Sequence, residues 1–284
     1  MRIEPEYLKL IKDANFRSVR IPIKWSAHAS NVAPYTVDPK FFARVDEVLK
    51  EALANRLLVV LNMHHYEELE DSPDANEARF KAIWHQIAEH YSKASDDVAF
   101  EIYNEPCKQL TDIRWNQLYQ SVLKDIRKSN PDRNVVVGPI GWNNLHKLDT
   151  LKLPADDAHI IVTVHYYEPF HFTHQGAEWI GPESAGWLGT TWSRTSAERA
   201  GVDDDFDTIG SWVRAHPYPI YMGEFGAYSK ADMASRVAWT RYVCESALKR
   251  GYSPCYWEFG SGFGLYDPQT KKWRESLLRA LILK

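Results

Sequence analysis

The chain has 284 residues, of which 44% are hydrophobic, with 34 basic against 38 acidic residues and a net charge of -4. This suits one large barrel or two small domains, and a balanced charge without a basic patch or like-charge run gives no sign of a nucleic-acid partner. The longest apolar run, Leu57 to Leu61, is far too short to cross a bilayer, so no membrane partner is expected.

The opening residues, Met1 to Glu6, lack the apolar core of a signal peptide, which leaves either a cytoplasmic protein or one whose leader is absent. Cys107, Cys244 and Cys255 are odd in number and widely spaced, so they form no zinc pattern and demand no disulfide. The aromatic content is unusual, with 11 Trp, 15 Tyr and 11 Phe. Indole N–H groups want partners, and surplus tryptophan in a soluble protein often floors a groove for sugar rings. An aromatic-rich core would give the same count.

Taken in order, Pro5 to Ala14 reads as a helix, and Ser18 to Pro22 as a strand that carries Arg20 and ends at Pro22. A charged group in a core strand needs a partner. The reading is a guanidinium held against a carboxylate, with Glu224 favoured. A helix from Asp38-Pro39 to about Ala54 precedes a strand, Leu57 to His65, that ends in histidines. Helix Asn76 to Ser92 is followed by strand Phe100 to Glu105, stopped at Pro106, which has no amide proton to extend a sheet. Then come helix Trp115 to Lys128, strands Val135 to Pro139 and Ile160 to Tyr167, and a long irregular stretch, Glu168 to Asp205, read as a functional loop over the site. Helix Phe206 to His216, a strand delivering Glu224, helix Ala231 to Arg250, strand Pro254 to Phe259 and helix Glu275 to Leu283 complete the chain.

This strand–loop–helix rhythm with apolar strands implies a parallel sheet covered on both faces. The polar outliers fall at strand C-terminal ends, where a (β/α)8 barrel keeps its active site. An open doubly wound sheet would need a Gly-rich phosphate turn after its first strand, and none is present. Seven strands are readable rather than eight, and a helix comes first.

Glu105 and Glu224 both end apolar runs, and two carboxylates are the minimum equipment for breaking a glycosidic bond. Glu101 shares the parity of Glu105 and is open to a reading as a third acid, but it lies deeper and reads rather as a structural buried carboxylate. His64 and His65 invite a metal reading, with His165 and Asp267 as further ligands. Neighbours on a strand point to opposite faces, however, so the pair does not readily grip one ion, and no metal or other cofactor is expected.

The motifs Arg20-Ile21-Pro22, Asn62-Met63-His64-His65, Tyr103-Asn104-Glu105-Pro106, His165-Tyr166-Tyr167, Gly223-Glu224-Phe225-Gly226 and Tyr256-Trp257-Glu258 make the chain resemble glycoside hydrolase family 5. The likeness is greatest to its bacterial endo-β-1,4-glucanases and mannanases and runs over nearly the whole length. It implies a single catalytic domain, residues 1–284, on a (β/α)8 barrel that hydrolyses β-1,4-linked polysaccharide or oligosaccharide with retention. By that resemblance Glu105 is the acid/base and Glu224 the nucleophile. Arg20, His64, Asn104, His165, Tyr167 and Trp257 bind substrate, with His65, Trp142, Phe172, Trp179 and Glu258 as further subsite candidates, and the Trp257–Glu258 peptide is cis. Tyr167 is expected to donate to Glu224, and His165 to stand near Glu105. The family's first strand is missing from the readable elements. Such a gap would expose two sheet edges, so a monomer and self-association through the open edge are both compatible with the sequence. The expected activity is endo-β-1,4-glucanase, with mannanase or mixed activity as the alternative and a non-catalytic sugar-binding barrel as the second. Such enzymes are often secreted.

Overall fold

The computed structural model describes residues 2–282 and divides into two compact units, residues 2–163 and 164–282. Leu283, where the last helix was expected to end, lies outside the described residues.

The first unit holds α1 (Pro5–Asp13), β1 (Ser18–Ile23), α2 (Pro39–Ala54), β2 (Leu58–Met63), α3 (Glu67–Asp71), α4 (Pro73–His90), β3 (Val98–Glu101), α5 (Asp112–Ser129), β4 (Val135–Val137) and a one-turn α6 (Ile140–Asn143). Strand β5 (Ile160–Tyr166) begins in this unit and ends in the second. All pairings are parallel: Ser18↔Leu58 through Ile23↔Met63, Val59↔Val98 through Asn62↔Glu101, Phe100↔Val135, and Val135↔Ile160 through Val137↔Val162. The second unit continues with α7 (Phe170–Thr173), α8 (Ser196–Ala215), β6 (Ile220–Phe225), α9 (Met233–Lys249), β7 (Ser253–Tyr256), a small hairpin of β8 (Tyr266–Asp267) and β9 (Lys272–Trp273), and α10 (Glu275–Leu281). The strand order of the main sheet is sequential, β1 to β7. This is the (β/α)8-barrel type of fold, with seven of the main strands among the described residues and α1 preceding the first of them.

The elements form where local chemistry favours them. Helix α2 starts because Asp38 accepts from Lys40 N at 2.9 Å and Pro39 supplies the first-turn φ. It then buries Phe42, Val45, Val48, Leu49 and Ala52 on one stripe. Helix α8 starts well before the expected Phe206, because Thr195 and Glu198 form a capping box. The irregular stretch is correspondingly shorter, and it is built rather than loose: Phe172, Thr173, Gln175 and Ala177 are fully buried in it. Phe172 is therefore loop packing rather than a sugar contact. Strand β1 runs through Pro22 to Ile23, where it was expected to stop. Pro22 pairs in register with Asn62, and as β1 pairs only with β2 among the described residues, an amide proton is not needed on its other side.

Most of the tryptophan surplus is core. Trp25, Trp84, Trp115, Trp192 and Trp239 are essentially fully buried. Four of these indoles donate to carbonyls at or just beyond strand ends: Trp25 to Asn62 O (3.2 Å), Trp84 to Ile102 O, Trp115 to Gly138 O and Trp239 to Glu168 O (each 2.9 Å). The indole N–H that burial would orphan thus fixes a carbonyl where the chain leaves the sheet.

Candidate active site

In the first unit the candidate side chains lie on β1 and at or beyond the C-terminal ends of β2 and β3. Arg20 reaches past β2 to Glu101 in a fork, Nε to Oε2 at 2.5 Å and Nη2 to Oε1 at 2.7 Å. The side chains of the pair are 2% and 0% exposed. Glu224 was the favoured partner for this guanidinium; within this unit the carboxylate set against it is Glu101, the structural buried acid that its depth implied. Nη2 also donates to Asn104 Oδ1 at 2.7 Å, which fixes the amide so that its Nδ2 donors point away from the guanidinium.

Glu105 is not at the tip of its strand. Strand β3 ends at Glu101, and the chain runs on beside its neighbours, Ile102 N bonding Val136 O and Asn104 N bonding Met63 O, before Glu105 turns into the left-handed region at φ 55. That turn, with Pro106 after it, breaks the alternation that would have sent Asn104 and Glu105 to opposite faces. Burial pushes the Glu105 carboxyl up to about 7. The Arg20 and His65 charges and a hydrogen bond from Asn104 pull it down, and the Glu101 charge adds to the rise. The residue still keeps part of its surface open.

His64 is buried, with Nδ1 3.2 Å from Asn62 Oδ1. His65 is exposed at φ 57, its ring 4.3 Å from that of His64. The opposite-face argument fails here because β2 has already ended at Met63. Trp142 is 59% exposed on a run of left-handed residues, Gly141 to Asn143, and its amide donates to Pro106 O.

In the second unit Glu224 is buried within β6, one residue before its end. Between Met222 and Phe225 strand β6 carries one residue more than β7. This bulge at Gly223-Glu224 re-aims the carboxylate, a common device beside active sites. Tyr167 Oη donates to Glu224 Oε2 at 2.8 Å, as expected, and His165 Nδ1 lies 3.6 Å from the same oxygen. Trp257 follows β7, its amide donating to Phe225 O at 2.8 Å, and the Trp257–Glu258 peptide is cis, as expected. Gly226 is required here, since a Cβ on it would stand 2.2 Å from the Trp257 carbonyl oxygen. Glu258 Oε1 accepts from Phe263 N at 3.3 Å, and burial raises its carboxyl above the ordinary range. Trp179 is 58% exposed, edge-on to Tyr228 at 4.8 Å. Asp267 Oδ1 accepts from Gln269 N and Thr270 N, a turn role rather than that of a ligand.

One residue that the sequence reading passed over is Glu70, buried in α3 against Tyr103. A short helix directly after two histidines gave no periodicity by which to find it.

A parallel strand–helix fold that offers carboxylates and aromatic side chains at strand C-terminal ends defines a protein of the barrel glycosidase class. The family model for cellulase (glycosyl hydrolase family 5) matches residues 2–262, and the chain belongs to that family. It is 35% identical to Endoglucanase H of Acetivibrio thermocellus over 97% of its own length and 30% of that protein. It is 44% identical to Thermotoga maritima Cel5A, solved in complex with cellobiose and with mannotriose, at a TM-score of 0.97 over 99% of this chain and 91% of that one. The chain spans less than two-thirds of the length of the curated relatives it matches first.

Proposed function

We propose that the chain is a single catalytic domain that hydrolyses internal β-1,4 bonds of glucan by double displacement. The carrying observation is the contrast between two glutamates. Burial keeps Glu105 protonated up to about pH 7, whereas Glu224 accepts a tyrosine hydroxyl at 2.8 Å, a bond that favours its ionised form.

In the first step a Glu224 oxygen attacks the anomeric carbon. The glycosidic C–O bond breaks, and Glu105 gives its proton to the departing oxygen. In the second, the Glu105 carboxylate takes a proton from water as the water oxygen attacks the same carbon and releases Glu224. This chemistry places the two carboxyls ~5–5.5 Å apart. Asn104, held by Arg20, offers its amide to the sugar 2-hydroxyl, where hydrogen bonds strengthen in the transition state. His165 and Tyr167 hold Glu224. His64, His65 and Glu258 bind hydroxyls, and Trp142, Trp179 and Trp257 stack on sugar faces.

A mannanase side activity is the second reading, favoured by the mannotriose complex of Thermotoga maritima Cel5A. A fluorinated cellobioside that traps the glycosyl-enzyme should label Glu224. Glu224→Gln and Glu105→Gln should each lose orders of magnitude in rate, and chelator should change nothing. A label elsewhere, or near-wild-type turnover by either variant, would reject the assignment. Rates on cellulose, mixed-linkage glucan, mannan and xyloglucan rank the substrates.

A further inference from the structure

Glu70 ties down both flanks of Glu105. Its Oε1 accepts from Tyr103 Oη at 2.7 Å, its Oε2 pairs with Lys108 Nζ at 3.2 Å, and its carbonyl accepts from Gln109 N at 3.0 Å. Tyr103 Oη in turn accepts from Tyr66 N at 3.2 Å, and Asp71 holds the same Lys108 ammonium at 3.0 Å. One turn of α3 therefore grips the chain on either side of the catalytic carboxyl.

Between these grips Glu105 and Lys108 both adopt left-handed backbones, φ 55 and 53. Residues with a Cβ hold such a conformation only where the surroundings over-determine it. The two arms differ in weight. Lys108 and Asp71 are 44% and 61% exposed in their side chains, so water screens that arm. Tyr103 is fully buried and Glu70 nearly so, and a buried hydrogen bond to a charged acceptor is the stronger kind.

We propose that Glu70 is a positioning residue for Glu105, acting through the buried Tyr103 hydroxyl to set where the acid meets the departing oxygen. The inference rests on Glu105 being the acid/base. A misplacement of about 1 Å can cost up to about a hundredfold in rate, and proton transfer itself contributes ~10²–10⁴-fold. A partial loss of about tenfold is therefore expected.

The test uses leaving groups. Phenol needs protonation to depart and 2,4-dinitrophenolate does not. Tyr103→Phe and Glu70→Gln should each lower kcat/KM about tenfold on phenyl β-cellobioside and less than about twofold on the dinitrophenyl glycoside. Glu105→Gln should show the same selectivity, larger. Equal losses on both substrates would make Glu70 merely structural and overturn the proposal, as would no loss on either. If Glu105→Gln shows no leaving-group selectivity, the acid/base assignment falls and this inference with it. If it shows selectivity and the other two variants do not, only the positioning role falls. Tyr103→Phe is nearly isosteric and carries the test should Glu70→Gln fail to fold.

Discussion

Replacing Glu105 by glutamine should stabilise the protein at neutral pH while destroying its activity. The ordinary value of the carboxyl is 4.5, and burial lifts it to about 7 in the fold. The native state then holds a proton that the unfolded chain gives up between those values. The stabilisation from that proton is complete below pH 4.5 and is lost as pH rises through 7. The difference of about 2.5 pH units, at ~1.36 kcal/mol each, amounts to about 3 kcal/mol, a ceiling because the residue is partly open to water. Glutamine does not titrate, so Glu105→Gln should match the wild type near pH 4 and exceed it by up to about 3 kcal/mol at pH 8. Urea unfolding followed by tryptophan fluorescence at pH 4, 6 and 8 measures this directly. Two stability curves running parallel across that range would refute the reasoning, because Glu105 would then have the same proton affinity folded and unfolded.

Three further outcomes are expected. With Glu105 as the proposed acid, the kcat/KM of the wild type on unactivated substrate should fall on the alkaline side with a midpoint at about pH 7, where that carboxyl loses its proton; pH–rate profiles check this. Glu101→Gln breaks a fully buried ion pair and should cost about 3–5 kcal/mol at pH 7, read from the urea midpoint. Trp142→Ala and Trp179→Ala remove exposed rings, so each should shift stability by less than about 0.5 kcal/mol while raising KM on long oligosaccharides, a split seen by pairing unfolding with steady-state kinetics.

Much of the fold was legible because its signals are local. Runs such as Val59 to Leu61 and Ile160 to Val164 are buried strands that periodicity and composition reveal. The pairing of Tyr167 with Glu224, the cis bond at Trp257 and the buried role of Glu101 also came through, from motif resemblance and strand parity. What stayed hidden depends on departures from regular geometry. Alternation failed at Glu105 because the chain leaves β3 at Glu101, and at His64-His65 because β2 ends at Met63. The bulge at Gly223-Glu224 is a register relation between two strands, and no single segment carries it. The early start of α8 could have been read from Thr195 and Glu198, a capping box in plain sequence. Tryptophan counts left the question open because an indole tying down a strand-end carbonyl and one floored beneath a sugar look the same in composition.

Two successive displacements at one carbon return the released sugar with its original configuration. The anomer first released from a β-1,4-linked cello-oligosaccharide, followed by proton NMR before mutarotation, measures this directly. Glu224 as nucleophile and Glu105 as acid/base predict the β anomer. Initial release of the α anomer would mean a single displacement by water and would contradict the roles given to both residues.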